Sequence, residues 1–217
     1  MRWSVFDGVP EDDVRQVLSI ARRRTFRRGE VVFHAGDPAD TLHLIVAGRF
    51  AVRVQTAVGD VAILAILGPG EIVGELALIG EQTARNATVE SLEAGETRSI
   101  HRPDFERLRA AHPSITEVLV AILADRLRNT SQHLLEALYV PADKRVLRRL
   151  VQLAEGYAPG GGETTIPLRQ EDLASIAGTS RATVNRVLRE EEARGSVRLG
   201  RGVTTVVDRE ALARRGR

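Results

Sequence analysis

Glycine-centred turns cut the stretch between Val31 and Ile100 into short β-branched runs, and this punctuation constrains the fold more than any other feature of the chain. The runs cover residues 31–34, 41–46, 50–54, 61–67, 86–90 and 96–100. Between them stand Gly36-Asp37-Pro38, Ala47-Gly48, Val58-Gly59-Asp60, Gly68-Pro69-Gly70 and Gly95. Strands this short at such regular spacing close into a barrel or a double-sheet roll, with glycine supplying the positive φ of tight corners. Apolar residues at Val14, Val17, Leu18 and Ala21 predict a helix leading in over residues 5–24, and Arg102-Pro103-Asp104-Phe105 begins another on the way out.

Beyond the roll the pattern turns helical. Val120, Leu123, Leu127, Thr130, Leu134 and Ala137 advance in alternating steps of three and four, a stripe that faces a partner helix. Ile115, Val118, Leu119 and Ile122 form a second face, toward the chain's own roll. A helix over residues 114–138, apolar on two sides at its start and along one stripe later, is expected to leave its domain and dimerise. Thr130 and Ser131 interrupt the stripe with hydroxyls, which either bond back to carbonyls one turn earlier or meet a polar ligand. Tyr139-Val140-Pro141-Ala142-Asp143 then breaks the helix before a fresh helical segment. The chain is expected to be α+β, with a roll domain at 1–112, a dimerisation helix and hinge at 113–140 and a third segment at 141–217.

The formal charge of +2 conceals a division along the chain. Residues 141–217 hold 15 Arg/Lys against 10 Asp/Glu, net +5, and residues 1–140 hold 16 against 19, net −3. The absence of cysteine excludes disulfides, thiol nucleophiles, thiolate zinc sites and cysteine-held iron–sulfur clusters. His34, His43, His101, His112 and His133 lack His-x-His spacing, so neither a metal site nor a metalloenzyme of the β-roll type is expected. No Ser-His-Asp or paired-carboxylate arrangement points to an enzyme of another kind. With no run near the roughly 18 apolar residues that span a bilayer, the expectation is a cytoplasmic protein without a membrane partner.

Two segments carry chemistry. From Val73 to Val89 the sequence reads as a turn glycine, the acidic Glu75, one apolar helical turn, and a polar loop ending in Arg85 at the head of a strand. Helix-start N–H groups and a guanidinium suit an anion, and Glu75 suits a neighbouring hydroxyl, so an anionic ligand with a ribose-like hydroxyl fits. A structural Glu75–Arg85 ion pair fits the same spacing. From Gln170 to Leu188 the sequence reads as helix, glycine turn and helix. Gly178 serves the turn, Ser180 or Thr179 caps the second helix, and Leu173, Ile176, Val184, Val187 and Leu188 face a shared core. Arg181, Ala182, Thr183, Asn185, Arg186 and Arg189 remain outward, as in a recognition helix presented to a major groove. Residues 197–207 alternate about Gly200-Arg201-Gly202 as a basic-tipped hairpin wing.

Gly74-Glu75-Leu76 with Arg85-Asn86-Ala87-Thr88-Val89 resembles the phosphate-binding cassette of the cyclic-nucleotide-binding domain family. Glu171-Asp172-Leu173-Ala174, Gly178-Thr179-Ser180-Arg181, Thr183-Val184 and Arg186-Val187-Leu188 resemble the winged helix-turn-helix of the Crp/Fnr family of bacterial transcription regulators, in particular its cAMP-receptor branch. The resemblance covers the whole chain in the order β-roll, long helix, winged helix-turn-helix. It implies a homodimer whose DNA binding is controlled allosterically by cAMP or a related cyclic nucleotide, with no further cofactor. Glu75 would hold the ribose 2′-hydroxyl, Arg85 the cyclic phosphate, and the backbone of Gly74 and Leu76 would complete the pocket. Asn86 stands where relatives carry Ser, Thr or Ala. Thr130 would contact the base from the same subunit and Ser131 from across the dimer. Arg181 and Arg186 would read guanine edges, Gln170, Ser180 and Thr183 would contact phosphates, and Asn185 shares their face. The implied partners are a pseudo-palindromic double-stranded operator, a second copy of the chain and RNA polymerase. Ala182 replaces a glutamate of that branch, so the operator is expected to differ there. Glu191 and Ser196 replace apolar residues, for which looser or shifted packing is expected, and Arg169 replaces a hydroxyl cap. The alternative is a family member that binds DNA without cyclic nucleotide or senses another small anion.

Overall fold

The glycine turns deliver the strands. The computed structural model describes residues 3–57, 59–78 and 83–217, apart from the Ala77 side chain. Its first strands are β1 (Arg22–Phe26), β2 (Val31–Phe33), β3 (Thr41–Ala47), β4 (Phe50–Gln55), β5 (Val61–Leu67), β6 (Ile72–Val73), β7 (Thr88–Ser91) and β8 (Gly95–His101). They form two four-stranded sheets, ordered β1-β8-β3-β6 and β2-β7-β4-β5. Phe26, Val32, Ile45, Phe50, Leu67, Val73 and Val89, drawn from both sheets, make the core of the roll. Because side chains alternate along a strand, Leu42 and Leu44 of β3 leave on the other face. There they meet Val17 of α1 (Glu11–Ile20), Phe105 and Leu108 of α2 (Arg102–Ala111), and Ile115 and Leu119 of α3 (Ser114–Tyr139).

The leading helix is shorter than the sequence predicts. It stops at Ile20, and Arg22, Arg23 and Arg24 enter β1. Among the described residues this strand pairs only with β8 at the sheet edge, where arginines keep their charge in water and blunt the edge against another chain. Three successive charges erase the alternation by which a strand is recognised.

α3 runs for 26 residues, roughly 39 Å at the usual rise of a helix. Ile115 and Leu119 are buried against the roll, whereas Val120, Leu127, Leu134 and Leu138 are each at least 60% exposed. Compactness divides the chain into two units, Met1–Thr56 with Leu64–Asn129, and Ala57–Ile63 with Thr130–Arg217.

The second unit continues with α4 (Ala142–Tyr157), β9 (Thr164–Ile166), α5 (Gln170–Ala177), α6 (Arg181–Ala193), β10 (Val197–Gly200), β11 (Val203–Val206) and α7 (Arg209–Arg215). Val146, Leu147, Leu150 and Ala154 of α4 are buried, as are Leu173, Ala174, Val184, Val187, Leu188, Ala211 and Leu212 on the helices around them. β9 adds a third strand to the wing hairpin, in the order β10-β11-β9. The sequence reading missed β9, three residues long, and α7, whose start is capped by Asp208 accepting from the Ala211 N–H at 2.8 Å.

The expectation of looser packing at Glu191 and Ser196 is corrected. Both are buried, and Arg215 of α7 reaches them. Its Nε donates to Glu191 Oε1 at 3.0 Å, and its Nη2 donates to Glu191 Oε2 and, at 2.6 Å, to Ser196 Oγ. Arg194 adds a 2.7 Å pair to the same carboxylate. Two polar substitutions are matched by one arginine. At the end of α3, Glu136 is likewise buried, its carboxylate held by Arg148 at 2.9 Å and by the buried Arg149.

Candidate functional sites

The predicted cassette residues converge on one arginine. Gly74 follows β6 with φ +88, and a Cβ placed there would lie 2.7 Å from Arg85 Nη1 and 2.9 Å from the Thr41 carbonyl. The missing side chain thus leaves room for the guanidinium as well as permitting the turn. Glu75 starts a short 3-10 turn, Glu75–Leu78, rather than an α-helical one. The remainder of the loop, residues 79–82, lies outside the described residues.

Arg85 is buried. Its Nη2 donates to Thr41 O and to Thr41 Oγ1, each at 2.7 Å, and its Nη1 donates to Gly74 O at 3.4 Å. The guanidinium lies 4.1 Å over the Phe33 ring, a cation–π placement. Burial lowers the Arg85 pKa from its ordinary value, opposed by the charges of Asp40, Asp37 and Glu75. Glu75 is equally buried, but its partner is not Arg85, so the sequence's structural-pair alternative is not what forms. Arg126 of α3 donates to Glu75 Oε1 and, at 2.7 Å, to the Ile72 carbonyl. Arg126 was not singled out from sequence, although it stands one helical turn before Thr130. Two buried atoms, Glu75 Oε2 and Arg85 Nε, have no hydrogen-bond partner among the described residues. Unsatisfied buried polar atoms beside a buried guanidinium suit a ligand bearing both hydroxyl and anionic oxygen.

Leu76 and Asn86 are exposed beside the cassette. Thr130 and Ser131 are exposed on α3, in line with Leu127 and Leu134. His43 is buried on β3, and its pKa is lowered to about 3, first by burial and then by the Arg24 and Arg85 charges. Among the described residues no group of three or more His, Asp or Glu side chains is arranged to hold a metal ion.

In the second unit α5, a left-handed Gly178 at φ 59 and α6 make the expected helix-turn-helix. Ser180, not Thr179, caps α6 by accepting from the Thr183 N–H at 3.1 Å. At the preceding helix the absent hydroxyl cap is compensated by Asp172, whose carboxylate accepts from the Arg169 N–H at 3.2 Å. Ser180, Arg181, Asn185 and Arg186 are exposed, with Gln170 and Thr183 half-buried among them. Asn185 Nδ2 donates to Gln170 Oε1 at 3.1 Å, tying the two helices. Both candidate base readers rest on carboxylates, Arg181 on Glu171 at 3.1 Å and Arg186 on Glu190 at 2.8 Å. Exposed pairs of this kind are worth about 0–1 kcal/mol and release their arginines readily.

Comparison with known proteins agrees with both halves. Residues 23–112 match the cyclic nucleotide-binding domain family and residues 144–215 the Crp-like helix-turn-helix domain. The chain is 33% identical over 221 aligned residues to the CRP-like cAMP-activated global transcriptional regulator of Mycobacterium tuberculosis, covering 100% of this chain and 97% of that protein. It is 35% identical to the cyclic AMP receptor protein of Thermus thermophilus, over 95% of this chain and 93% of that one. Among solved structures, the c-di-GMP responsive global regulator CLP of Xanthomonas campestris shares the fold, with a TM-score of 0.77 at 24% identity over 91% of this chain and 99% of that one. A β-roll matching the cyclic nucleotide-binding domain, a long helix and a winged helix-turn-helix thus follow one another along this chain, which belongs to the Crp/Fnr family of DNA-binding transcription regulators.

Proposed function

We propose that this regulator is a homodimer whose operator binding is switched by cAMP. The observation that carries the reading is the buried pair of unsatisfied atoms, Glu75 Oε2 and Arg85 Nε, in a cassette whose glycine leaves the guanidinium its space. Arg85 takes the cyclic phosphate, Glu75 the ribose 2′-hydroxyl, and the backbone of Gly74 and Leu76 closes the pocket with Asn86 at its edge. Thr130 meets the base from the same subunit and Ser131 from the other. The exposed stripe of Val120, Leu127, Leu134 and Leu138 supports dimerisation through α3, since an apolar row this long is unusual on a lone helix. Residues 1–112, 113–140 and 141–217 then act as sensor, connector and reader. A ligand that touches sensor and connector together favours one pairing of the helices and so one spacing of the readers. Arg181 and Arg186 read base edges, Gln170, Ser180 and Thr183 hold the phosphate backbone, and Asn185 faces the DNA beside them, at half-sites roughly 34 Å apart. Bound to its operator in the cytoplasm, the dimer meets RNA polymerase.

Calorimetry with cAMP, cGMP and c-di-GMP on the wild type and on Arg85→Ala tests the sensor. Binding of cAMP that Arg85→Ala abolishes is the expected result; silence with all three nucleotides overturns it. Sedimentation of Leu127→Arg tests the seam, with a monomer expected and an unchanged dimer excluding α3 as the interface.

A further inference from the structure

Arg85 is anchored by a string of side chains that none of the roles above uses. Its Nη2 donates to Thr41 Oγ1 at 2.7 Å; that oxygen stands 3.4 Å from His43 Nε2, and His43 Nδ1 stands 3.1 Å from Thr97 Oγ1. Thr41 and His43 are two apart on β3 and so share a face, and β8 supplies Thr97 from the neighbouring strand. His43 and Thr97 are fully buried. Phe33 joins the two ends, lying 4.1 Å beneath the guanidinium and 5.8 Å from the His43 ring centre.

The string has two possible proton directions, set by the His43 tautomer, because Thr41 Oγ1 keeps one hydrogen and a second lone pair after accepting from Arg85. With the ring proton on Nδ1, facing Thr97, Nε2 carries a lone pair and Thr41 donates to it. A guanidinium donates two parallel N–H bonds to an anionic group only when its plane is correctly set. Thr41 and Phe33 set that plane before any ligand arrives, and ordering in advance reduces the cost of binding.

We infer that His43 is a positioning residue for the nucleotide site: by accepting the Thr41 hydroxyl proton it fixes Thr41 as the anchor of Arg85, and with Phe33 it sets the plane in which Arg85 meets the phosphate. The inference rests on the assignment of Arg85 to the phosphate. His43→Phe fills the space without an acceptor, whereas His43→Gln keeps an oxygen able to accept from Thr41.

The test is calorimetry on the wild type, both variants, Arg85→Gln and the double variant, with cAMP and with adenosine, which lacks the phosphate. His43→Phe is expected to weaken cAMP about tenfold, to leave adenosine unchanged, and to have no further effect when Arg85→Gln is present. His43→Gln is expected to recover most of the loss. Equal loss for adenosine, failure of His43→Gln, or full additivity with Arg85→Gln overturns the inference. A wild type that binds no cyclic nucleotide removes the pocket assignment instead, and the string is then judged by NMR of the free protein. An Nδ1-protonated His43 and an Arg85 Nε–Hε resonance displaced in His43→Phe support it; an Nε2-protonated ring or an unmoved resonance overturns it.

Discussion

Gly74 has two reasons to be glycine, and they are separable. Its positive φ alone costs any other residue about 1–2 kcal/mol. A Cβ at 2.7 Å from Arg85 Nη1 additionally displaces the guanidinium. Gly74→Ala is therefore expected to lower stability by about that amount and to weaken nucleotide binding more than a backbone effect explains, measured by thermal unfolding and calorimetry together. His43 makes a second residue-scale prediction, in pH. Its folded pKa is depressed to about 3 from 6.5, so between those values the unfolded chain takes up a proton that the folded one refuses. The stability contributed by the neutral ring is complete above about pH 6.5 and is lost as the pH falls toward about 3, with a slope of up to ~1.4 kcal/mol per pH unit. Denaturant unfolding across that range should show the slope, and His43→Gln should flatten it.

At the scale of elements, the end of α6 is secured by a buried charge network. Glu191 is 1% exposed and meets Arg215, Arg194 and, through Arg215, Ser196. Arg215→Met leaves the carboxylate with Arg194 alone and is expected to cost about 2 kcal/mol, below the usual penalty for breaking a buried pair because Arg215 retains a third of its exposure. Glu191→Leu with Ser196→Ala and Arg215→Met removes the whole network, and thermal unfolding should place it nearer the wild type than the single variant. The same network shows what sequence reading reaches. The glycine-punctuated strands, the exposed apolar stripe of α3 and the helix-turn-helix were legible because each rests on a local period or a local turn. Glu191 and Ser196 were recognised as odd, but their partner lies 24 residues from Glu191 on a seven-residue helix without an apolar repeat. β1 was hidden for the opposite reason, an edge strand written in arginine. In the pocket, Gly74, Glu75 and Arg85 were legible as a motif, whereas Arg126, Thr41 and Phe33 arrive from other elements and announce themselves only through contact.

Across the whole molecule, the charge division sets a mildly acidic part that contains the cyclic nucleotide-binding domain against a basic part that contains the helix-turn-helix. Arg201 stands exposed at the tip of the wing and Arg181 at the head of α6. Arg201→Ala is expected to weaken all DNA sequences alike and to reduce the slope of log K against log salt by about 0.9. Arg181→Ala should instead relax the preference at one base pair, by about 1–3 kcal/mol. Binding titrations of specific and scrambled duplexes at several salt concentrations distinguish the two. The carboxylates beneath Arg181 and Arg186 alter what such slopes mean. If Arg181 and Arg186 read bases as proposed, each comes to the duplex from an anion of its own protein, so docking is a double exchange in which the abandoned glutamate recruits a cation while the duplex sheds its own. On that reading the net count of ions released falls short of the number of guanidiniums engaged, so the salt slope understates the contacts made while the affinity is nearly untouched, each pair being worth only about 0–1 kcal/mol.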